Sequence, residues 1–149
     1  MIKDKLKLRG DVSIVLKSAD GSVKDSRAIK NLVVNDGLNF IVSRMKDTTQ
    51  GVMSHMAVGS STTAAAAGQT DLVSILGSRE ALDSTAVSTN TVTYVSSFEA
   101  GDGTGAVTEA GIFNASSGGD MLCRTVFAVV NKQATDSMTI TWTITLTAS

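Results

Sequence analysis

The sequence predicts a mainly β protein, an antiparallel β-sandwich of jelly-roll-like type with one short helix. Three observations support this prediction. Residues 138–148 alternate strictly between apolar and polar side chains, which is the period of a half-buried strand. Other short apolar segments are separated by turns rich in Gly, Ser and Asp. Only one segment, near residue 40, has the spacing of an amphipathic helix.

The N-terminal residues are expected to be separate from the sandwich. A chain of 149 residues is long enough for one domain with its own core. We expect residues 1–10 to form an extended arm and residues 11–149 to form a single β-sandwich domain. The arm alternates apolar residues with the basic residues Lys3, Lys5, Lys7 and Arg9. These residues either discourage stray strand pairing at a sheet edge or bind the surface of a partner.

The first strands and the helix follow the arm. Residues 11–18 alternate, and Asp20-Gly21 is typical of a hairpin turn, so we expect a returning strand at residues 23–29. The helix is predicted at about residues 37–46, with Asp36 as its N-cap. Its apolar stripe is expected to pack on a sheet and consists of Leu38, Ile41, Val42 and Met45.

The second half of the chain contains mostly strands. They are predicted at residues 52–58, 79–87, 91–98, 107–115, 121–130 and 138–148. A turn is expected at residues 88–90. The glycine-rich segment 101–105 lacks the lysine and the strand–helix context of a nucleotide-binding loop, so we interpret it as a hairpin loop.

The residues that could carry chemistry are few, so we predict no enzyme activity, no metal site and no cofactor. His55 is the only histidine, and Cys123 is the only cysteine, whereas a metal site or a catalytic triad needs several such groups. Glu109 shares a strand face with apolar residues, and a buried carboxylate needs a partner. Arg124 and Arg79 are both candidates, and we assign a structural ion pair to Glu109 and Arg124.

The charge pattern favours association with other protein chains. The net charge is −1 and only 18% of residues are charged, so we expect neither nucleic acid nor a membrane as partner. We also expect no secretory signal, because the N-terminus lacks an apolar segment. One face of the last strand carries Thr139, Thr141, Thr143, Thr145 and Thr147. This row either forms a subunit interface or is exposed to solvent.

Several segments of the chain resemble a family of small virion proteins of tailed phages. The segments are residues 57–63, 107–115, 121–127, 131–132 and 137–142, and the most specific reads Glu-Ala-Gly-Ile-Phe-Asn-Ala at residues 109–115. Together they resemble capsid cement (decoration) proteins and related β-sandwich modules of tail appendages. The resemblance covers roughly residues 30–147 and carries no active-site residues.

The resemblance implies a structural function. It implies a homotrimer that binds the outer surface of the major capsid protein lattice and reinforces it. The protein would be made in the bacterial host cytoplasm and located on the virion. The basic residues of the arm would then contact the capsid. The alternative is a tail-fibre or tailspike module that recognises a host-surface glycan.

Overall fold

The computed structural model describes residues 4–46 and 50–148, and its architecture is a two-sheet β-sandwich. The predicted mainly β class is therefore confirmed. Sheet A has the order β2-β1-β10-β7-β6, with strands β1 (Leu6–Lys17), β2 (Val23–Lys30), β6 (Ser84–Ser88), β7 (Thr91–Phe98) and β10 (Ser137–Ala148). Sheet B has the order β3-β9-β8-β4-β5, with strands β3 (Leu32–Val33), β4 (His55–Gly59), β5 (Glu80–Ala81), β8 (Gly105–Phe113) and β9 (Met121–Lys132). The helix α1 (Asn35–Ser43) connects β3 to β4 along the chain.

The core lies between the two sheets and is centred on β10. Trp142 is fully buried, and its Nε1–H donates a hydrogen bond to Asn31 Oδ1 at 3.0 Å, which satisfies the polar atom of the indole. The space beside this bond is narrow. A Cβ atom on Gly10 would lie on top of the Asn31 side chain, so only glycine fits at that position in β1.

The predicted boundary at residue 10 is wrong, because β1 runs without interruption from Leu6 to Lys17. Its register with β10 begins at Leu6 opposite Ala148. The strand also lies in the interior of sheet A, between β2 and β10, and is not an edge strand. Residues 6–10 therefore belong to the sandwich. Lys5 precedes the strand, and Lys3 lies outside the described residues.

The helix is present, but its bounds and its inward face differ from the prediction. It begins at Asn35 and ends at Ser43. Val34 occupies the N-cap position without a side-chain hydrogen bond, and Asp36, the predicted cap, instead accepts a hydrogen bond from the Met121 N–H at 2.8 Å.

The predicted apolar stripe of the helix points largely away from the core. Leu38, Val42 and Met45 are 45%, 65% and 83% exposed, while Gly37 and Phe40 are buried. The reason is close packing: a Cβ atom on residue 37 would lie 2.0 Å from the Leu122 carbonyl oxygen. Only glycine allows this approach, and the approach determines which side of the helix faces β9.

Three connections in the second half cross between the sheets: β5 to β6, β7 to β8 and β9 to β10. The segment predicted as one strand at residues 79–87 forms β5 in sheet B and β6 in sheet A. Segment 101–105 joins β7 in sheet A to β8 in sheet B, so it is a crossover and not the predicted hairpin loop. Gly103 in this crossover has φ +61°, and a Cβ atom there would lie 2.7 Å from the Val58 side chain.

Candidate interaction surfaces and a buried ion pair

The described residues contain few groups arranged for chemistry. Within residues 4–46 and 50–148, no cluster of three or more His, Cys, Asp or Glu side chains could hold a metal ion. Ser54 Oγ lies 2.7 Å from His55 Nδ1, but these are adjacent residues, and no described group bonds to the other ring nitrogen. Burial raises the pKa of the Cys123 thiol well above its ordinary value, so this thiol has little thiolate to react.

The predicted ion pair between Glu109 and Arg124 is present. Both side chains are fully buried, and Arg124 donates from Nε and Nη2 to Glu109 Oε2 at 3.0 and 2.8 Å. The other candidate, Arg79, has a different role. Its guanidinium lies 3.6 Å from the centre of the Phe113 ring and donates to the carbonyl oxygens of Ala115 and Gly118.

The Glu109 carboxylate also fixes the long segment that follows β4. It accepts backbone N–H bonds from Ser61, Val73 and Ser74 at 3.3, 3.1 and 2.7 Å. We call residues 60–79 the cover segment. Since one carboxylate receives donors from both the sheet and the cover segment, its charge is neutralised and its oxygens are satisfied without water.

The cover segment closes the outer face of sheet B. Arg124 also donates from Nη1 to Gln69 Oε1 at 3.0 Å. Leu72 packs on a small buried apolar cluster formed by Val34, Ala57, Phe113 and Met121. Gly59 is required at the start, because a Cβ atom there would lie 2.3 Å from the Ser74 carbonyl oxygen and 2.4 Å from Glu109 Oε1.

The outer face of sheet A carries the predicted threonine row, and no segment among residues 4–46 and 50–148 covers it. Thr139, Thr141, Thr143 and Thr145 are half-buried and Thr147 is exposed. Cross-strand partners point to the same side of a sheet, so the register extends this face with small, mostly uncharged residues: Ser13, Val15, Ser26, Ala28, Ser84, Ala86, Thr91, Thr93, Val95 and Ser97. We call this surface the threonine face.

The structure brings the threonine row together with two of the predicted basic residues. Lys7 lies opposite Thr147, and Arg9 lies opposite Thr145. Arg9 is paired with Asp11 at 2.9 Å, and Asp11 also accepts a bond from Lys30 at 3.1 Å. One corner of the threonine face is therefore charged. The alternation of apolar and polar side chains through residues 6–17 indicates one continuous strand, which the predicted boundary at residue 10 divides.

A third surface, missed by the sequence analysis, is an apolar groove beside the edge of sheet A. We call it the edge groove. It has a volume of about 350 Å³ and is lined by Phe40, Arg44, Val52, Met53, Thr85, Val87, Val92 and Tyr94. Burial raises the pKa of the Tyr94 phenol to about 12. Phe40 belongs to α1 and Arg44 is its C-cap residue, so the groove adjoins the C-terminal end of the helix.

Comparisons with known proteins add no relative. No family model, no curated protein and no solved structure matches this chain. None of the helices in the described ranges is long and apolar enough to cross a membrane. The resemblance to phage virion proteins stays a prediction that rests on the residue pattern. Its most specific segment, residues 109–115, lies mainly in β8 and includes Glu109 of the buried ion pair.

Proposed function

We propose that this chain is a structural virion protein, a capsid cement protein that forms a homotrimer on the outer surface of the major capsid protein lattice. The observation that carries the proposal is the uncovered threonine face. A surface of small hydroxyl and methyl groups can be buried at low desolvation cost, since it contains few charges. Its hydroxyl groups can also exchange hydrogen bonds with a partner, as Thr93 and Thr143 do within the sheet at 3.3 Å.

The size of the threonine face suits a subunit contact. Five strands about 4.8 Å apart, each contributing about eight residues with a rise of about 3.4 Å, cover roughly 600 Å². A standard interface buries about 800 Å² on each partner. The face with its rim is therefore of the right order for one stable contact. The basic corner, with Lys5, Lys7 and Arg9, would extend this contact to the capsid by steering toward acidic groups.

The burial of the aromatic residues favours the cement function over the alternative of a glycan-binding tail module. Proteins that bind sugars by stacking present exposed aromatic rings. All six aromatic residues lie in the described ranges, and none is more than 9% exposed: Phe40, Tyr94, Phe98, Phe113, Phe127 and Trp142.

The subunit contact is tested by the native mass of matched variants in solution. Thr141 lies at the centre of the threonine face, and Thr141→Lys introduces a charge there. Thr70→Lys, at an exposed position of the cover segment, is the control. We expect trimers for the wild type and the control, and monomers for Thr141→Lys, by light scattering coupled to gel filtration. A monomeric wild type contradicts the homotrimer.

The capsid location is tested by electron cryo-microscopy of purified virions. We expect density for this fold at repeated positions on the outer capsid surface. Density restricted to the tail overturns the cement proposal in favour of the tail module.

The basic corner is tested by the double variant Lys7→Ala with Arg9→Ala, which leaves the β1 backbone pairing intact. Removal of residues 1–10 is a poor test, because it deletes five residues of β1. If virions carry the Lys7→Ala, Arg9→Ala double variant at the same occupancy as the wild type, the basic corner does not contact the capsid.

A further inference from the structure

The two edges of sheet A differ in how they are protected. At the β2 edge, Arg27 donates to the carbonyl oxygens of Ala128 and Val129 on β9 at 3.0 and 3.1 Å. Asp25 holds the same guanidinium with two bonds of 2.9 and 3.0 Å. Charged side chains thus bridge this edge to sheet B. They also discourage another strand from adding there.

The β6 edge has neither protection. All five residues from Ser84 to Ser88 are exposed, and none is charged. In the part of the chain that the structure describes, β6 pairs only with β7. One side of its backbone is therefore available to hydrogen-bond with another strand, and nothing in its composition opposes such pairing.

The edge groove opens beside this strand. Thr85 and Val87 of β6 lie opposite Tyr94 and Val92 of β7, and all four residues line the groove. Val87 is 77% exposed, and Val52, which also lines the groove, is 59% exposed. A strand added along β6 would direct every second side chain toward this apolar space, because side chains alternate across a strand.

Arg44 supplies the charge that identifies the occupant. Its guanidinium carbon lies 5.9 Å from the centre of the Phe40 ring, and its Nη1 approaches the Gln50 carbonyl oxygen at 3.4 Å. Within residues 4–46 and 50–148 it has no ion pair. An exposed arginine at the rim of an apolar groove is complementary to a carboxylate on the bound chain.

We propose that the β6 edge and the edge groove together bind an extended segment of a partner protein. The segment adds to sheet A as a further strand, inserts apolar side chains at alternate positions into the groove and presents a carboxylate to Arg44. This is the strand-addition mode of peptide recognition, in which backbone bonds give affinity and side-chain pockets give specificity.

A second copy of this chain fits the site less well than a partner segment. Pairing of β6 with its own copy would be two-fold symmetric, so each Arg44 would face the β6 strand of the other copy. However, β6 contains no carboxylate for Arg44. The proposal does not depend on the threonine face, so the two can fail separately.

The test uses synthetic peptides of about seven residues, the length that spans β6 with a short overlap. The first peptide alternates valine with threonine and carries a glutamate near one end. The second is identical except for lysine in place of glutamate. Binding to the full chain is measured by NMR titration, with the shifts of residues 84–88 as the readout. We expect saturable binding of the glutamate peptide and shifts concentrated on β6 and the groove.

Two variants and a control make the outcome specific. Val87→Lys should weaken binding at least about tenfold, because it places a charge in the apolar groove. Arg44→Glu should weaken binding of the glutamate peptide and restore binding with the lysine peptide. Val129→Lys, at an exposed position on β9, should bind as the wild type does. Absence of saturable binding, or unchanged binding by Val87→Lys, overturns the proposal. A wild-type dimer protected at β6 from hydrogen exchange also overturns it, in favour of self-pairing.

Discussion

The outer faces of the two sheets differ in whether another segment of the chain packs on them. Sheet B is covered by residues 60–79, which are held by the Glu109 carboxylate and by Leu72. Sheet A has no comparable layer on its threonine face among the described residues, and its ion pairs at Asp11 are exposed. The chain thus covers the outer face of sheet B with its own residues and leaves on sheet A a face of small side chains that is charged only at one corner. The open face of sheet A is the one that we propose as the subunit contact.

The largest loss of stability is expected from Glu109→Gln, on the covered side of the sandwich. This change leaves the Arg124 guanidinium buried without its counter-charge, which costs about 3–5 kcal/mol in comparable buried pairs. Urea unfolding followed by the fluorescence of Trp142 measures the free energy of unfolding. If the variant is as stable as the wild type, the covered face does not depend on this ion pair.

A smaller but still large effect is expected from Gly59→Ala. The added Cβ atom collides with the Ser74 backbone and with Glu109, so we expect a loss of roughly 1–3 kcal/mol and faster proteolytic cleavage within residues 60–79. The control is Gly68→Ala, in the same segment, where a Cβ atom meets nothing within 4 Å. Equal cleavage rates in the two variants would mean that the cover segment is not held at Gly59.

The free energy of unfolding is expected to fall at alkaline pH because of Tyr94, which lines the edge groove. The pKa of Tyr94 is raised to about 12 by burial, above the value of about 10 in an unfolded chain. The folded state therefore holds this proton more tightly. The resulting contribution to the free energy of unfolding is complete below pH ~10 and is lost as the pH rises toward ~12. The loss amounts to roughly 2–3 kcal/mol. Since Tyr94 is the only tyrosine, phenolate absorbance follows it directly, and Tyr94→Phe should remove this part of the pH dependence.

The smallest effect is expected from Asp11→Asn on the uncovered face. The hydrogen bond from Lys30 holds the pKa of Asp11 below its usual range, so this pair loses its contribution as the pH falls and the carboxylate is protonated. Exposed ion pairs contribute only about 0–1 kcal/mol. Urea unfolding of the variant should therefore nearly coincide with that of the wild type. A loss as large as that of Glu109→Gln would remove the distinction between the two faces.

Those parts of the structure that follow from local periodicity were predictable from the sequence. The alternation in residues 138–148 predicted β10 and its buried side, and a carboxylate among apolar residues predicted the ion pair of Glu109 with Arg124. The helix was harder, because two stripes have helical spacing. Hydrophobicity favours Leu38, Val42 and Met45, but the close approach of Gly37 to β9 turns the other stripe inward.

Long-range placement was not predictable from local pattern. The boundary at residue 10 was wrong because the pairing partner of residues 6–10 lies at the far end of the chain, in β10. The edge groove brings together side chains from α1, the segment before β4, β6 and β7. No pattern within any one of these elements indicates the groove, since it depends on how these separate elements pack together.

The burial of Trp142 and Tyr94 has a consequence for how this protein is observed. Each is the only residue of its type, and both lie in sheet A, on β10 and β7. Their fluorescence therefore reports on the core between the two sheets, and not on the outer face of sheet B where residues 60–79 lie. Detachment of residues 60–79 from sheet B would leave the optical spectrum native while exposing the Ser74 amide, and exchange of that amide with deuterium is the direct measure of such an opening.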